Sequence, residues 1–168
     1  MLETYRKTTL EQYKAAFLTL EMCIDKCPDS FWNEKVHENT FNQSVFHALF
    51  FGDLYLGLNP EVVEDQDFHR KNADTFAGYE ELESNSPAKS YEKAFTKSYL
   101  NHCVGKAESV MAGETEESLK KQAGFSWMEF ERAGVHPYNI RHIQHHAAQL
   151  ILRLRQAEDL ELQWFRAG

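Results

Sequence analysis

Leu10, Tyr13, Phe17, Leu20 and Ile24 recur three and four residues apart, the spacing of one helix face, and predict a first helix over 8–26. Thr8 with Glu11 fits a capping box at its start, and Pro28 lies just past its end. A second helix is predicted over 40–58, stopping before Asn59-Pro60. It is apolar nearly all round, the mark of the most buried helix, and it is long without strict alternation, which favours helix over strand. A third, over 86–111, opens on the cap and first-turn pair Ser86-Pro87 and ends before Gly113. Tyr91, Phe95, Tyr99, Cys103 and Val110 mark its inner side. The fourth starts at the first-turn proline Pro137 and continues to about 157, with a seam of Ile143, Ala147, Leu150 and Leu154.

Two stretches carry weaker patterns. Residues 60–86 are polar, of mixed charge and without periodicity, and read as a long connection with one short helical turn. In 114–134, Ser118 to Gln122 fits a short helix and an extended piece equally well, and Phe125, Trp127, Met128 and Phe130 read as buried or interfacial. Leu162, Trp164 and Phe165 near the C-terminus need a surface to pack on. The pattern predicts an all-α fold, a four-helix bundle with a long connection between helices 2 and 3, forming one domain over 1–168.

Composition narrows the function classes. A chain of 168 residues suits one domain and can bury about 70% of its unfolded surface without staples. Aromatic residues make up 13%, so rings are expected to line the core or a pocket. The net charge of −8 and the lack of a basic stripe exclude a nucleic-acid binder. No apolar stretch approaches the ~20 residues that span a bilayer, and the richest run, 45–58, is broken by His47 and Asp53. The first residues lack the apolar segment of a secretion signal, so a cytoplasmic location is expected. Cys23, Cys27 and Cys103 are an odd number, expected as free thiols. Cys23-x3-Cys27 has the spacing of half a metal or redox site, but two small buried residues is the favoured reading.

The candidate chemistry lies in the histidines. Helix 4 contains His142-Ile143-Gln144-His145-His146. At ~100° per residue, His146 lies ~40° and His142 ~80° to the same side of Leu150, whereas His145 lies ~140° away. His142 and His146 therefore form an inward pair one turn apart, the geometry of zinc helices. His145 reads as a surface residue or a partner of a ligand. In helix 2, His47 shares its face with Phe50, Phe51, Leu54 and Leu58. A buried imidazole there needs a partner, and a divalent metal would satisfy it. His102 is a candidate fourth ligand or a partner of one, His136 reads as a helix-start residue, and His37 and His69 read as solvated loop residues.

The string His142-Ile-Gln-His145-His146-Ala-Ala-Gln149-Leu150 resembles the last-helix signature of the DinB/YfiT-like superfamily, His-x-x-His-His-x-x-Gln followed by an apolar residue. His47 near the start of a long second helix is similar to the other mark of that family. One departure is Ala147-Ala148, where many relatives carry arginine and glycine, so no role tied to that arginine carries over. The resemblance implies a bundle in which His47, His142 and His146 hold a divalent metal, and dimerisation as in many members, so a homodimer is one expectation. Relatives include transferases and isomerases that use bacillithiol or mycothiol, and proteins classed as metal-dependent hydrolases.

Three imidazoles leave coordination positions open, as in catalytic sites. A metal there would activate a bound water or thiol. Zinc suits three nitrogens and one exchangeable ligand, and nickel, iron or manganese suit six positions completed by water. The expectation is a metal-dependent enzyme, thiol S-transferase-like or hydrolytic, acting on a small molecule that includes a low-molecular-weight thiol. Its rival is a non-enzymatic stress or interaction module whose histidines bind metal structurally or bind none. The rival is motivated by the lack of a clear general base: Glu129, Glu131 and Asp53 are candidates, and Asp53 lies ~120° from His47 on the wheel. Val45, Leu49 and Leu56, on the far side of helix 2, are placed to meet either another subunit or another helix.

Overall fold

The computed structural model describes residues 1–36, 39–62, 65–77, 89–158 and 160–168. These are mostly helical. Helix α1 (Leu2–Lys26) is followed by the short α2 (Asp29–Trp32) and an antiparallel ribbon of β1 (Lys35–Val36) and β2 (Asn39–Thr40). Then come α3 (Phe41–Leu56), a 3-10 turn (Pro60–Val62), α4 (Asp67–Lys71) and α5 (Ala73–Phe76). The chain ends with α6 (Lys93–Gly113), α7 (Glu116–Lys120) and α8 (Arg132–Glu158). Helices α1 and α3 each pack against both α6 and α8.

The predicted apolar faces are the buried ones. Tyr13, Phe17, Leu20 and Ile24 of α1 meet Phe46 and Leu49 of α3, Tyr99 and Cys103 of α6, and Ile143, Leu150 and Leu154 of α8. Val45, Leu49 and Leu56 are buried in this same chain. Of the two packings open to them, helix on helix is the one found. A smaller cluster joins Phe51, Leu54 and Tyr55 to Ala123, Phe125, Met128 and Val135. Trp127 and Trp164 stay exposed, while Leu162 is covered by the core. Cys23, Cys27 and Cys103 are buried free thiols, and burial pushes the Cys23 thiol up to about 12.

Three helix starts differ from the sequence reading. Thr8 does not cap α1: its hydroxyl donates to the carbonyls of Thr4 and Tyr5 inside a helix that begins six residues earlier, at Leu2. A capping box stands instead at α3, where Thr40 Oγ1 accepts from Gln43 N–H and Gln43 accepts from Thr40 N–H. Ser86-Pro87 lies outside the described residues, and residues 89–92 are not helical. Their backbone is held by the rest of the fold. Tyr91 N–H donates to Asn42 Oδ1, Trp32 Nε1–H donates to Tyr91 O, and the Tyr91 ring stacks on Phe46 at 3.8 Å.

Helix α8 begins at Arg132, so Pro137 stands inside it rather than at its first turn. A proline has no N–H to give to the carbonyl four residues back, which here is Ala133 O. Tyr5 supplies the missing donor, its hydroxyl 2.7 Å from Ala133 O. The extra turn lets Arg132 reach the end of α3. Its guanidinium donates to the carbonyls of Tyr55, Leu56 and Gly57, which have no helical partner, and to Glu114 Oε1. His136, expected at a helix start, is instead fully buried between Tyr13 and Glu114.

The connection after α3 carries more structure than one turn: the 3-10 turn, α4 and α5 all lie within it. In the segment before α8 both expected forms occur, with α7 at Glu116–Lys120 and Gln122 bridging Glu131 in antiparallel fashion.

Candidate metal centre

The packing of α3 on α8 brings His47 against His142 and His146. Ring centroids are 4.5 Å apart for His47 and His146, 4.6 Å for His142 and His146, and 5.4 Å for His47 and His142. One nitrogen from each ring lies within 4.8 Å of the others. The three residues predicted from the helical wheel are therefore together. All three are half-buried, and His145 is exposed on the outer side of α8. Phe51 and Tyr55 line one side: His142 lies 5.4 Å from the Phe51 ring and 6.0 Å from the Tyr55 ring. Asn139, one turn before His142, donates to Gly52 O at 2.8 Å and ties the two helices together next to the site.

The environment keeps the imidazoles neutral. Burial, with His146 and His142 beside it, pushes His47 down to about 3. Burial, then His146 and His145, lowers His142 to about 3. His146 falls to about 4 through burial and His145, with the Gln149 hydrogen bond acting the other way. Neutral imidazole is the form that binds a metal. His142 Nδ1 is buried and has no hydrogen-bond partner among the described residues. A buried nitrogen without a partner is costly, and three neutral imidazoles around one point are a donor set that suits zinc, nickel or iron. The residues present fit a divalent cation.

Gln149 orients one ligand. Its Oε1 lies 3.0 Å from His146 Nδ1, and its Nε2 lies 3.1 Å from His145 Nε2. An amide oxygen only accepts, so His146 Nδ1 carries the proton and Nε2 keeps a free lone pair. Gln149 belongs to the sequence signature, but its role was not evident from spacing alone.

Family models, curated proteins and solved structures yield no match to this chain, so the site is read from its own residues.

A second group of donors surrounds Asp53. His69, expected in solvent, is buried, and its Nε2–H donates to Asp53 Oδ2 at 2.6 Å. Tyr99 OH donates to the same oxygen at 3.0 Å, Gln66 Nε2 reaches both oxygens at 3.3 Å, and Lys106 Nζ pairs with Oδ1. His102, a candidate fourth ligand of the trio, lies here instead. Its Nε2 is 3.0 Å from Gln66 Oε1 and 3.8 Å from Asp53 Oδ1. Burial alone would raise the Asp53 carboxyl. The nearby His102, the hydrogen bond from His69 and the charge of Lys106 outweigh it and hold the group well below the usual carboxylate range.

Asp53, His69 and His102 also have metal-ligand spacing. The carboxylate, however, is already neutralised by Lys106 and accepts from His69, Tyr99 and Gln66. A cation would have to displace an ammonium. The group is better read as a buried polar knot that fixes α4 against α3 and α6. It also removes Asp53 as a general base for the trio. Glu129 and Glu131 are exposed, and none of the described carboxylates pairs with His47, His142 or His146. The available signal for the knot was Asp53 itself, a charge in an otherwise apolar helix that had to find partners. His37 lies outside the described residues.

Proposed function

We propose that this chain is a DinB-like four-helix bundle in which His47, His142 and His146 hold a divalent cation. We further propose that it is a metal-dependent enzyme acting on a small molecule, by thiol transfer or hydrolysis. The observation that carries the reading is the meeting of three neutral imidazoles from two helices, one with a buried nitrogen that lacks a partner. A bound cation would supply Lewis acidity, lowering the pKa of a ligated water or thiol. The residues do the rest. Gln149 sets the ring of His146, Asn139 holds α8 to α3, and Phe51 and Tyr55 keep water from one side. The three rings are half-buried, not sealed in the core. Zinc and nickel suit the nitrogen set, with iron and manganese as alternatives. A cytoplasmic location and a homodimer belong to this reading through the family resemblance. No helix among the described residues is long and apolar enough to cross a membrane.

One observation favours a second reading, a binding module without catalysis: none of the described carboxylates is placed beside the trio as a base. The two separate by experiment. Metal analysis after mild purification is expected to find a divalent ion in the wild type and none in His146→Ala; equal content in both sinks the site. Activity on a thiol and ester panel that chelation abolishes supports the enzyme. Bound metal without activity on that panel supports the module.

A further inference from the structure

Arg153 lies on the same stripe of α8 as the histidine pair. It follows His146 by seven residues, which places it within ~20° of the same face and ~10 Å along the axis. On α3, Ser44 precedes His47 by three residues, a rise of ~4.5 Å. The guanidinium joins the two positions: one nitrogen is 3.3 Å from Ser44 Oγ and another 3.3 Å from Glu34 O. The trio and Arg153 therefore lie along one seam between α3 and α8.

The state of this arginine is unusual for the chain. It is half-buried, its charge lies over the rings of Phe31 and Phe41 at 5.8 and 5.4 Å, and Nε is buried without a hydrogen-bond partner. Among the described residues no carboxylate forms a salt bridge with it, although acidic residues outnumber basic ones by 26 to 18. Arg132 shows what a structural arginine looks like here, with Glu114 and three carbonyls at 2.7 to 3.0 Å. Arg153 has two long contacts and donors to spare. A cavity of about 170 Å³ opens beside it, lined also by Phe31, Gln156 and Ala157.

We propose that Arg153 binds the anionic end of the substrate: a small molecule that places a donor group on the three histidines and a carboxylate or comparable anion on this guanidinium. A planar fork over aromatic rings suits a carboxylate, because two parallel N–H groups meet its two oxygens. The substrate class narrows to small anionic molecules. This inference rests on the metal reading of the trio.

The test uses the full chain loaded with cobalt(II) and follows the thiolate-to-cobalt absorption band during titration. The probes are 3-mercaptopropionate and 6-mercaptohexanoate against 3-mercapto-1-propanol and 6-mercapto-1-hexanol. At one of the two lengths the acid is expected to bind about tenfold more tightly than its alcohol, through charge-assisted hydrogen bonds. Arg153→Gln is expected to erase that preference and leave the alcohol unchanged. Arg153→Lys keeps the charge without the fork and guards against a folding defect; it is expected to retain about a third of the preference. Acids no tighter than alcohols in the wild type, or a full preference in either variant, overturn the role of Arg153. Cobalt that does not bind, or that binds equally to His146→Ala, overturns the metal reading and this inference with it. Normal loading without acid preference overturns this inference alone.

Discussion

Gln149 bridges His146 and His145, accepting from His146 Nδ1–H and donating to His145 Nε2. The bridge fixes which nitrogen of His146 is free, and it holds the ring against rotation. Partners of this kind commonly account for 10–100-fold in metal affinity. Gln149→Ala is expected to weaken metal binding by about that factor while the helical circular dichroism stays unchanged. Competition with a chromophoric chelator measures it. Affinity within twofold of the wild type means that the bridge does not orient the ligand.

Two groups of residues have metal-ligand spacing, and charge separates them. Around Asp53 the ammonium of Lys106 already supplies the cation, whereas the trio groups three neutral imidazoles. The expected stoichiometry is one ion per chain. His69→Gln removes a donor 2.6 Å from a buried carboxylate, and breaking such a pair costs about 3–5 kcal/mol when the partner charge is left buried. The remaining donors to Asp53 reduce that, so about 2 kcal/mol is expected from urea unfolding, with metal content unchanged. A second ion in the wild type that disappears in His69→Gln contradicts this assignment.

The difference between what the sequence disclosed and what it hid follows from the range of the interactions. Helical periodicity is local, so the four long helices, their buried faces and the inward direction of His47, His142 and His146 were all readable. His69 was not. It lies in a polar stretch, and only the folding of α4 onto α3 puts it against Asp53, 16 positions away. The start of α8 was hidden for a similar reason. Pro137 is a good first-turn residue by local rules, and the helix continues through it because Tyr5, 128 positions away, takes the orphaned carbonyl of Ala133.

That contact gives a direct test of the helix boundary. Tyr5→Phe keeps the ring and removes only the donor to Ala133 O. A loss of about 1 kcal/mol is expected, the net worth of one hydrogen bond at a half-buried position. Amide hydrogen exchange is expected to rise in residues 132–136 and to stay unchanged around His142 and His146. Uniform acceleration along α8 contradicts a local role for the hydroxyl.

Acid should destabilise the metal-free protein in two windows, and the sign follows from the groups involved. His47, His142 and His146 are lowered in the fold to about 3, 3 and 4, below the ordinary 6.5. Between those values the unfolded chain binds protons that the folded chain refuses, so stability falls as pH drops below about 6.5. Glu114 adds the second window. Burial would raise its carboxyl, but hydrogen bonds from His136, Ser118 and Arg132 together with the Arg132 charge lower it from 4.5 to about 2. Its contribution is present above 4.5 and is lost as pH falls through that range. His47→Phe removes one proton-refusing group and keeps a ring against Phe51. It is expected to flatten the loss from pH 6.5 down to about 3 and to keep the Glu114 share of the loss that sets in below 4.5. Urea midpoints at pH 7.5, 5.5 and 4 for the two chelator-treated proteins decide the matter. Parallel curves mean that the His47 imidazole already takes up its proton in the folded chain.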